Sequence, residues 1–120
     1  MIQIILTIIC LSWFSLTYAS DITVEEWKSY PKTLTLLDVR TPREFRAGHL
    51  PNALNINAYD PNLKKLLSKL NKSENYLIYC HSGHRSNAVV GLLKKLGFEN
   101  VFNLKGGIEA LKSKKVKLVK

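Results

Sequence analysis

Residues 76–86, YLIYCHSGHRS, pass from one kind of structure to another within a few positions. Tyr76, Leu77, Ile78 and Tyr79 make a continuous β-prone apolar run, the pattern of a strand buried on both faces. The run stops at Cys80, and His81 to His84 read as a short polar loop. From Arg85 an amphipathic helix is expected, with Ala88, Val89, Leu92, Leu93 and Leu96 on one side and an end at Gly97. A cysteine therefore stands at the carboxyl end of a strand, just before a helix begins. The first N–H groups of a helix lack intrahelical partners and carry partial positive charge. Inward-turned loop amides add to that charge, and Arg85 supplies a full one. Such a pocket stabilises a thiolate and accepts an anionic substrate, so the thiol of Cys80 is expected to titrate low. Gly83 suits a cradle of converging amides, which often needs a backbone conformation open mainly to glycine. The plain alternative is a buried structural cysteine at a strand end. The adjacent glycine, arginine and helix start favour the chemical role.

Outward from this stretch, strands and helices alternate. Thr23 and Glu26 have capping-box spacing, opening a short helix through about Ser29 that Pro31 ends. Thr33 to Val39 reads as a buried strand, finishing in Asp38 and Arg40. Thr41 and Glu44 form a second capping box with Pro42 at the first helical position, and Gly48 stops that helix. A turn at His49 to Asn52 leads to a short strand over Ala53 to Ile56. Asp60 and Pro61 open a helix with Leu63, Leu66, Leu67 and Leu70 inside and Lys64, Lys65 and Lys69 outside. After the cysteine strand and its helix, Asn100 to Leu104 is a further strand. Gly106 and Gly107 then turn into a last helix, Ile108 to about Lys112, and the basic tail that follows is expected to be only partly ordered. Few hairpin signals interrupt the alternation, so a parallel sheet covered on both faces is expected. Ligands bind such sheets beyond the carboxyl ends of the strands, where Cys80 and the Asp38/Arg40 pair both lie.

Residues 1–20 contain no charged side chain, and the 120-residue chain holds 18 Lys and Arg against 9 Asp and Glu, a net +9. The apolar run with Thr17 and Ala19 near its end reads as a secretory signal, residues 1–19, cleaved after Ala19. An uncleaved membrane anchor is the alternative. The remaining residues, 20–120, suffice for one domain with a core over about 23–112. With Cys10 removed alongside the signal, Cys80 stands alone, which excludes an internal disulfide and a zinc-type cysteine cluster. An exported protein is expected, periplasmic in a two-membrane bacterium, with no stable membrane insertion after signal removal. The lysines read as a solvated face, and no nucleic-acid partner is expected, because no binding module or interleaved aromatics accompany them.

Two motifs carry a family likeness. LLDVRTPREFRAGHLPNALNI, residues 36–56, and CHSGHRS, residues 80–86, together resemble the rhodanese-like domain, a sulfurtransferase family; LKGGIEAL, residues 104–111, is a weaker third match. The resemblance implies a three-layer α/β domain with a mainly parallel central sheet flanked by helices. It implies transfer of a sulfane sulfur from thiosulfate or a similar donor, through a persulfide on Cys80, to cyanide or a thiol. By position, the backbone of His81, Ser82, Gly83, His84 and Arg85 would cradle the terminal sulfur, and the Arg85 side chain would hold the anionic donor. Asp38 and Arg40 would support the site. No metal or organic cofactor is implied, because the persulfide itself is the carrier, and a monomer is expected. Ile108 follows the double glycine and no aromatic residue occurs in the last helix, which leaves donor preference open.

Several residues have plain readings as well. His81 and His84 fit exposed loop positions, His49 a structural turn, and Asp38 a carboxylate satisfied by nearby N–H groups. Arg40 fits a solvated surface charge, and Glu44 is explained as the capping partner of Thr41. Two rival functions share the thiol: a non-enzymatic persulfide carrier or interaction module, and a cysteine-dependent phosphatase or arsenate reductase. Four residues separate Cys80 from Arg85, where phosphatase loops commonly have five, a tighter ring suited to one sulfur atom.

Overall fold

The computed structural model of this chain describes residues 20–120, so the signal segment expected over residues 1–19 lies outside the described residues. Five strands form one sheet: β1 (Asp21–Ile22), β2 (Thr35–Asp38), β3 (Leu54–Asn55), β4 (Tyr76–Tyr79) and β5 (Val101–Leu104). Their order is β1-β5-β4-β2-β3, and every pairing between them is parallel. The cysteine strand β4 is thus central, and all four of its residues are buried. Both edge strands are two residues long, which leaves little unpaired backbone to template aggregation.

Alternation along the strands divides the core in two. Tyr76, Ile78 and Cys80 of the β4 line face one side with Leu37, Val39 and Val101, under α3 (Leu63–Ser68) and α4 (His84–Lys95). Leu77 and Tyr79 face the other side with Ile22, Leu34 and Leu104, against α1 (Val24–Lys28) and α5 (Gly107–Ser113). The result is the expected three layers, helix, sheet and helix. Both capping boxes form as the sequence requires. Thr23 and Glu26 open α1, and Thr41 and Glu44 open α2 (Pro42–Ala47), each pair exchanging side-chain and backbone hydrogen bonds.

Strand order explains where a site belongs. After β2 the chain moves outward to β3, whereas after β4 it moves the other way to β5, so neighbours β2 and β4 diverge at their carboxyl ends. That divergence opens a crevice of the kind that holds ligands in parallel α/β sheets. Helices α2 and α4 both start at its rim, each directly following one of the two strands.

Three features differ from what the sequence implies. Strand β1 is unexpected, because two residues show no period. The buried stripe of α4 is Ser86, Val89, Val90 and Leu93, with Leu92 and Leu96 partly covered and Ala88 exposed, so the helix is rotated relative to the expected face. The basic tail is ordered: Val116 and Leu118 pack on the α1/α5 side, and Val119 pairs antiparallel with His49 through N–H···O bonds of 2.8 and 2.9 Å. Its apolar residues at 116, 118 and 119 find core and backbone partners, which outweighs repulsion among the lysines. Among the described residues, no helix is long and apolar enough to cross a membrane.

Candidate active site

Strand β4 delivers Cys80 to the crevice, and the double glycine before α5 fixes how the chain leaves it. The N–H of Ile108 donates to the Cys80 carbonyl at 2.8 Å, and that of Glu109 to the His81 carbonyl at 3.3 Å. Within one peptide unit N–H and C=O point opposite ways. Tying the His81 carbonyl to α5 therefore turns the Ser82 N–H toward the sulfur. The approach needs glycine at 107, where φ is +55° and a Cβ would stand 2.4 Å from the Cys80 oxygen and 2.7 Å from the His81 oxygen.

The sulfur sits in the ring this creates. Gly83, at φ +109°, directs its N–H to Cys80 Sγ at 3.1 Å, and the buried Ser86 hydroxyl donates to the same atom at 3.2 Å. No side chain caps α4. Sγ takes that place, receiving backbone N–H groups at the helix start as a cap residue's oxygen would. Burial alone would push the Cys80 thiol up, since the residue is 1% exposed. The Ser86 hydroxyl and the N–H groups of Ser86, Gly83 and Ser82 outweigh burial, and the thiol is held below its ordinary value. These donors favour the thiolate over the thiol, and the thiolate is the form that acts as a nucleophile.

Two ion pairs flank this ring. On the rim, Arg85 binds Glu44 with both terminal nitrogens, at 2.7 and 3.0 Å. Glu44 is pulled down to about 2, chiefly by the Arg85 hydrogen bonds and despite its partial burial. The exposed ring of Tyr59 covers a face of the guanidinium at 5.5 Å. Deeper in the fold, Asp38 is sealed from solvent and accepts the backbone and side-chain N–H groups of Arg40, the shortest at 2.7 Å. Arg40 Nη2 also donates to the Gly48 carbonyl at 2.6 Å, and the guanidinium lies 5.8 Å from the centre of the buried Tyr79 ring. Asp38 hydrogen bonds raise the Arg40 guanidinium above its ordinary value against the opposing effect of burial.

Residues 23–114 match the model of the rhodanese-like domain. The chain belongs to the rhodanese-like domain family. A sulfurtransferase of Allochromatium vinosum is 37% identical over 75 residues, covering 62% of this chain and 68% of that protein. A putative sulfur carrier protein of Bacillus subtilis is 32% identical over 91 residues, covering 73% of this chain and 48% of the relative. Among solved structures, a rhodanese-related protein from Thermoplasma volcanium superposes with a TM-score of 0.75 at 30% identity, covering 82% of this chain and 96% of the other.

Within this rhodanese-like domain, the expected site residues divide. Cys80, Ser82 and Gly83 converge at the sulfur. His81 points away to Glu109, 2.9 Å distant, both side chains exposed. His84 is exposed on the first turn of α4 and, with Ser82, Asn87 and Lys105, lines a polar cleft of about 270 Å³ beside the loop. Arg85 lies at the rim with its guanidinium engaged by Glu44 rather than open to a donor. Arg40 is no surface charge. It is 5% exposed and belongs to the buried scaffold with Asp38. Among the described residues, no group of three His, Cys, Asp or Glu side chains is placed to hold a metal ion.

Two contributors are not evident from sequence. Ser86 shares helical spacing with Val89, Val90 and Leu93, so a polar residue in that apolar stripe is the available signal. Glu44 shows its cap role in sequence but not its second partner, because Arg85 is 41 residues away.

Proposed function

We propose that this domain is a sulfurtransferase that carries a sulfane sulfur as a Cys80 persulfide. The observation that carries the reading is the sulfur itself, ringed by the Gly83 N–H at 3.1 Å and the Ser86 hydroxyl at 3.2 Å with its thiol titrating low. In the first half-reaction the Cys80 thiolate attacks the terminal sulfur of a donor such as thiosulfate. The new Sγ–S bond forms as the donor's S–S bond breaks, and sulfite leaves with the bonding pair. In the second, cyanide or a thiol attacks the outer sulfur and the Cys80 thiolate departs, ready for another cycle. The inward N–H groups of Ser82, Gly83 and Ser86 stabilise negative charge on sulfur at both stages, the same electrostatic assistance that oxyanion holes provide. Because Cys80 is 1% exposed, a donor presents its terminal sulfur end-on.

Asp38 and Arg40 hold the crevice wall, and His81 braces the loop against Glu109. The cycle as drawn uses no metal or organic cofactor, since the persulfide stores the transferred atom. The protein acts as a monomer outside the cytoplasm, a placement supported by the uncharged apolar run of residues 1–19.

The test is intact mass spectrometry of purified protein treated with thiosulfate, then with cyanide. Wild type gains the mass of one sulfur atom and returns it as thiocyanate, whereas Cys80→Ser does neither. Thiocyanate formed equally well by Cys80→Ser would overturn the reading. Hydrolysis of a phosphate ester in place of sulfur loading would favour the phosphatase alternative.

A further inference from the structure

The rim of the site carries a charge arrangement that sulfur transfer from a dianion does not call for. Arg85 is the guanidinium next to the reactive loop, and both of its terminal nitrogens are taken by the two carboxylate oxygens of Glu44. A two-point arginine–carboxylate pairing is among the stronger side-chain interactions and is fixed in orientation. Tyr59 lies across a face of the same group at 5.5 Å. The second guanidinium of the crevice, Arg40, is buried and turned to Asp38 and the Gly48 carbonyl through Nε and Nη2. What remains at the sulfur itself is the ring of N–H groups and the Ser86 hydroxyl, all aimed at one position, while Lys105 stands outside that ring in the cleft it lines with Ser82 and His84. That ring suits one negative charge. It offers no cation to the sulfonate end of thiosulfate, which approaches with two charges toward a thiolate already bearing a third. The net charge of +9 draws anions toward the whole surface, but that attraction is screened beyond about 10 Å in ordinary salt and confers no fit at the rim.

Resting on the sulfur-transfer reading, we infer that Glu44 selects the donor: by occupying Arg85 it disfavours dianionic thiosulfate and directs Cys80 toward persulfide donors, R–S–SH. In that step the Cys80 thiolate attacks the outer sulfur, an Sγ–S bond forms, the donor's S–S bond breaks, and R–S⁻ leaves with the electron pair. Total charge is one negative before and after, and no oxidant or reductant is consumed. Glu44 is a specificity residue acting through Arg85.

Glu44→Gln is the informative variant, because glutamine also completes a capping box and so preserves the start of α2. It removes the carboxylate charge and frees Arg85 for the sulfonate. Loading of Cys80 is followed by intact mass with sodium thiosulfate and, separately, cysteine persulfide. The ratio of thiosulfate to persulfide loading rates is expected to rise about tenfold in Glu44→Gln, the scale of one added hydrogen bond between charged groups. Glu44→Ala gives the same rise where the glutamine amide itself holds Arg85. In an Arg85→Gln background the Glu44 substitutions are expected to leave the ratio flat, because the selection runs through Arg85. A ratio within twofold of wild type in both Glu44 variants, or a rise that persists without Arg85, overturns the inference. A wild-type protein that takes sulfur from neither donor overturns the sulfur-transfer reading and the selector with it, a result distinct from a flat ratio.

Discussion

Asp38–Arg40 and Glu44–Arg85 are built from the same two chemical groups, each closing to 2.7 Å, and each follows a strand that ends at the crevice. They differ in water. The first pair has side chains 0% and 6% exposed, with further bonds to the Arg40 N–H and the Gly48 carbonyl. The second is 33% and 19% exposed and is flanked by an open tyrosine ring. A buried pair is costly to break, because the survivor is left charged in a low-dielectric interior. A partly exposed pair is cheaper to lose, since water takes over its charges. One pair holds shape, and the other sets the charge presented at the rim.

The largest effect expected from substitution tests the deep pair. Asp38→Ala leaves Arg40 buried and unpaired, which should cost about 3–5 kcal/mol and lower the melting temperature by roughly 12 °C or more. A shift of only a few degrees in calorimetry would erase the contrast between the pairs. Next in size is Gly107→Ala, where the clash with the Cys80 and His81 carbonyls should cost about 1–3 kcal/mol and displace the loop. Its signature is a slower alkylation of Cys80 at neutral pH, because the inward N–H groups move away.

Ser86→Ala removes one hydrogen bond to the sulfur and should raise the thiol's pKa, read from the pH dependence of iodoacetamide alkylation. The sign of the linked stability follows from the direction of the native shift. The folded thiol titrates below the unfolded one, so its contribution is fully present above the unfolded value and fades as pH falls through the lowered folded value. Ser86→Ala should flatten that dependence. The smallest effect belongs to the rim pair. Glu44→Ala should cost no more than about 1 kcal/mol, including its share of the α2 cap. Because Glu44 is held at about 2, its pair is complete above the ordinary carboxylate range and lost only as pH falls through about 2. Melting curves of wild type and Glu44→Ala should therefore keep a constant separation between pH 7 and pH 5.

Local chemistry is readable in the sequence and distant chemistry is not. The buried quartet Tyr76 to Tyr79, the stop at Cys80 and the glycine at 83 announce a strand, a thiol and a helix start within one short window. Both capping boxes are i to i+3 events and form intact. The Glu44–Arg85 pair spans 41 residues and exists only because α2 and α4 begin side by side. Arg40 reads equally well as a surface charge because nothing in its neighbours reveals that Asp38 will be buried and that the guanidinium will lie over the Tyr79 ring. The order of the tail is hidden for the same reason, as its partner His49 lies far back in the chain.

The depth of Cys80 also decides how this thiol would look in a labelling survey. Acidity and reach are separate properties, and here they part company: the donors around the sulfur lower its pKa while the residue is almost sealed from solvent. Bulky tagging reagents should label it far more slowly than slim electrophiles do. Its place in a ranking would therefore shift with the size of the reagent used.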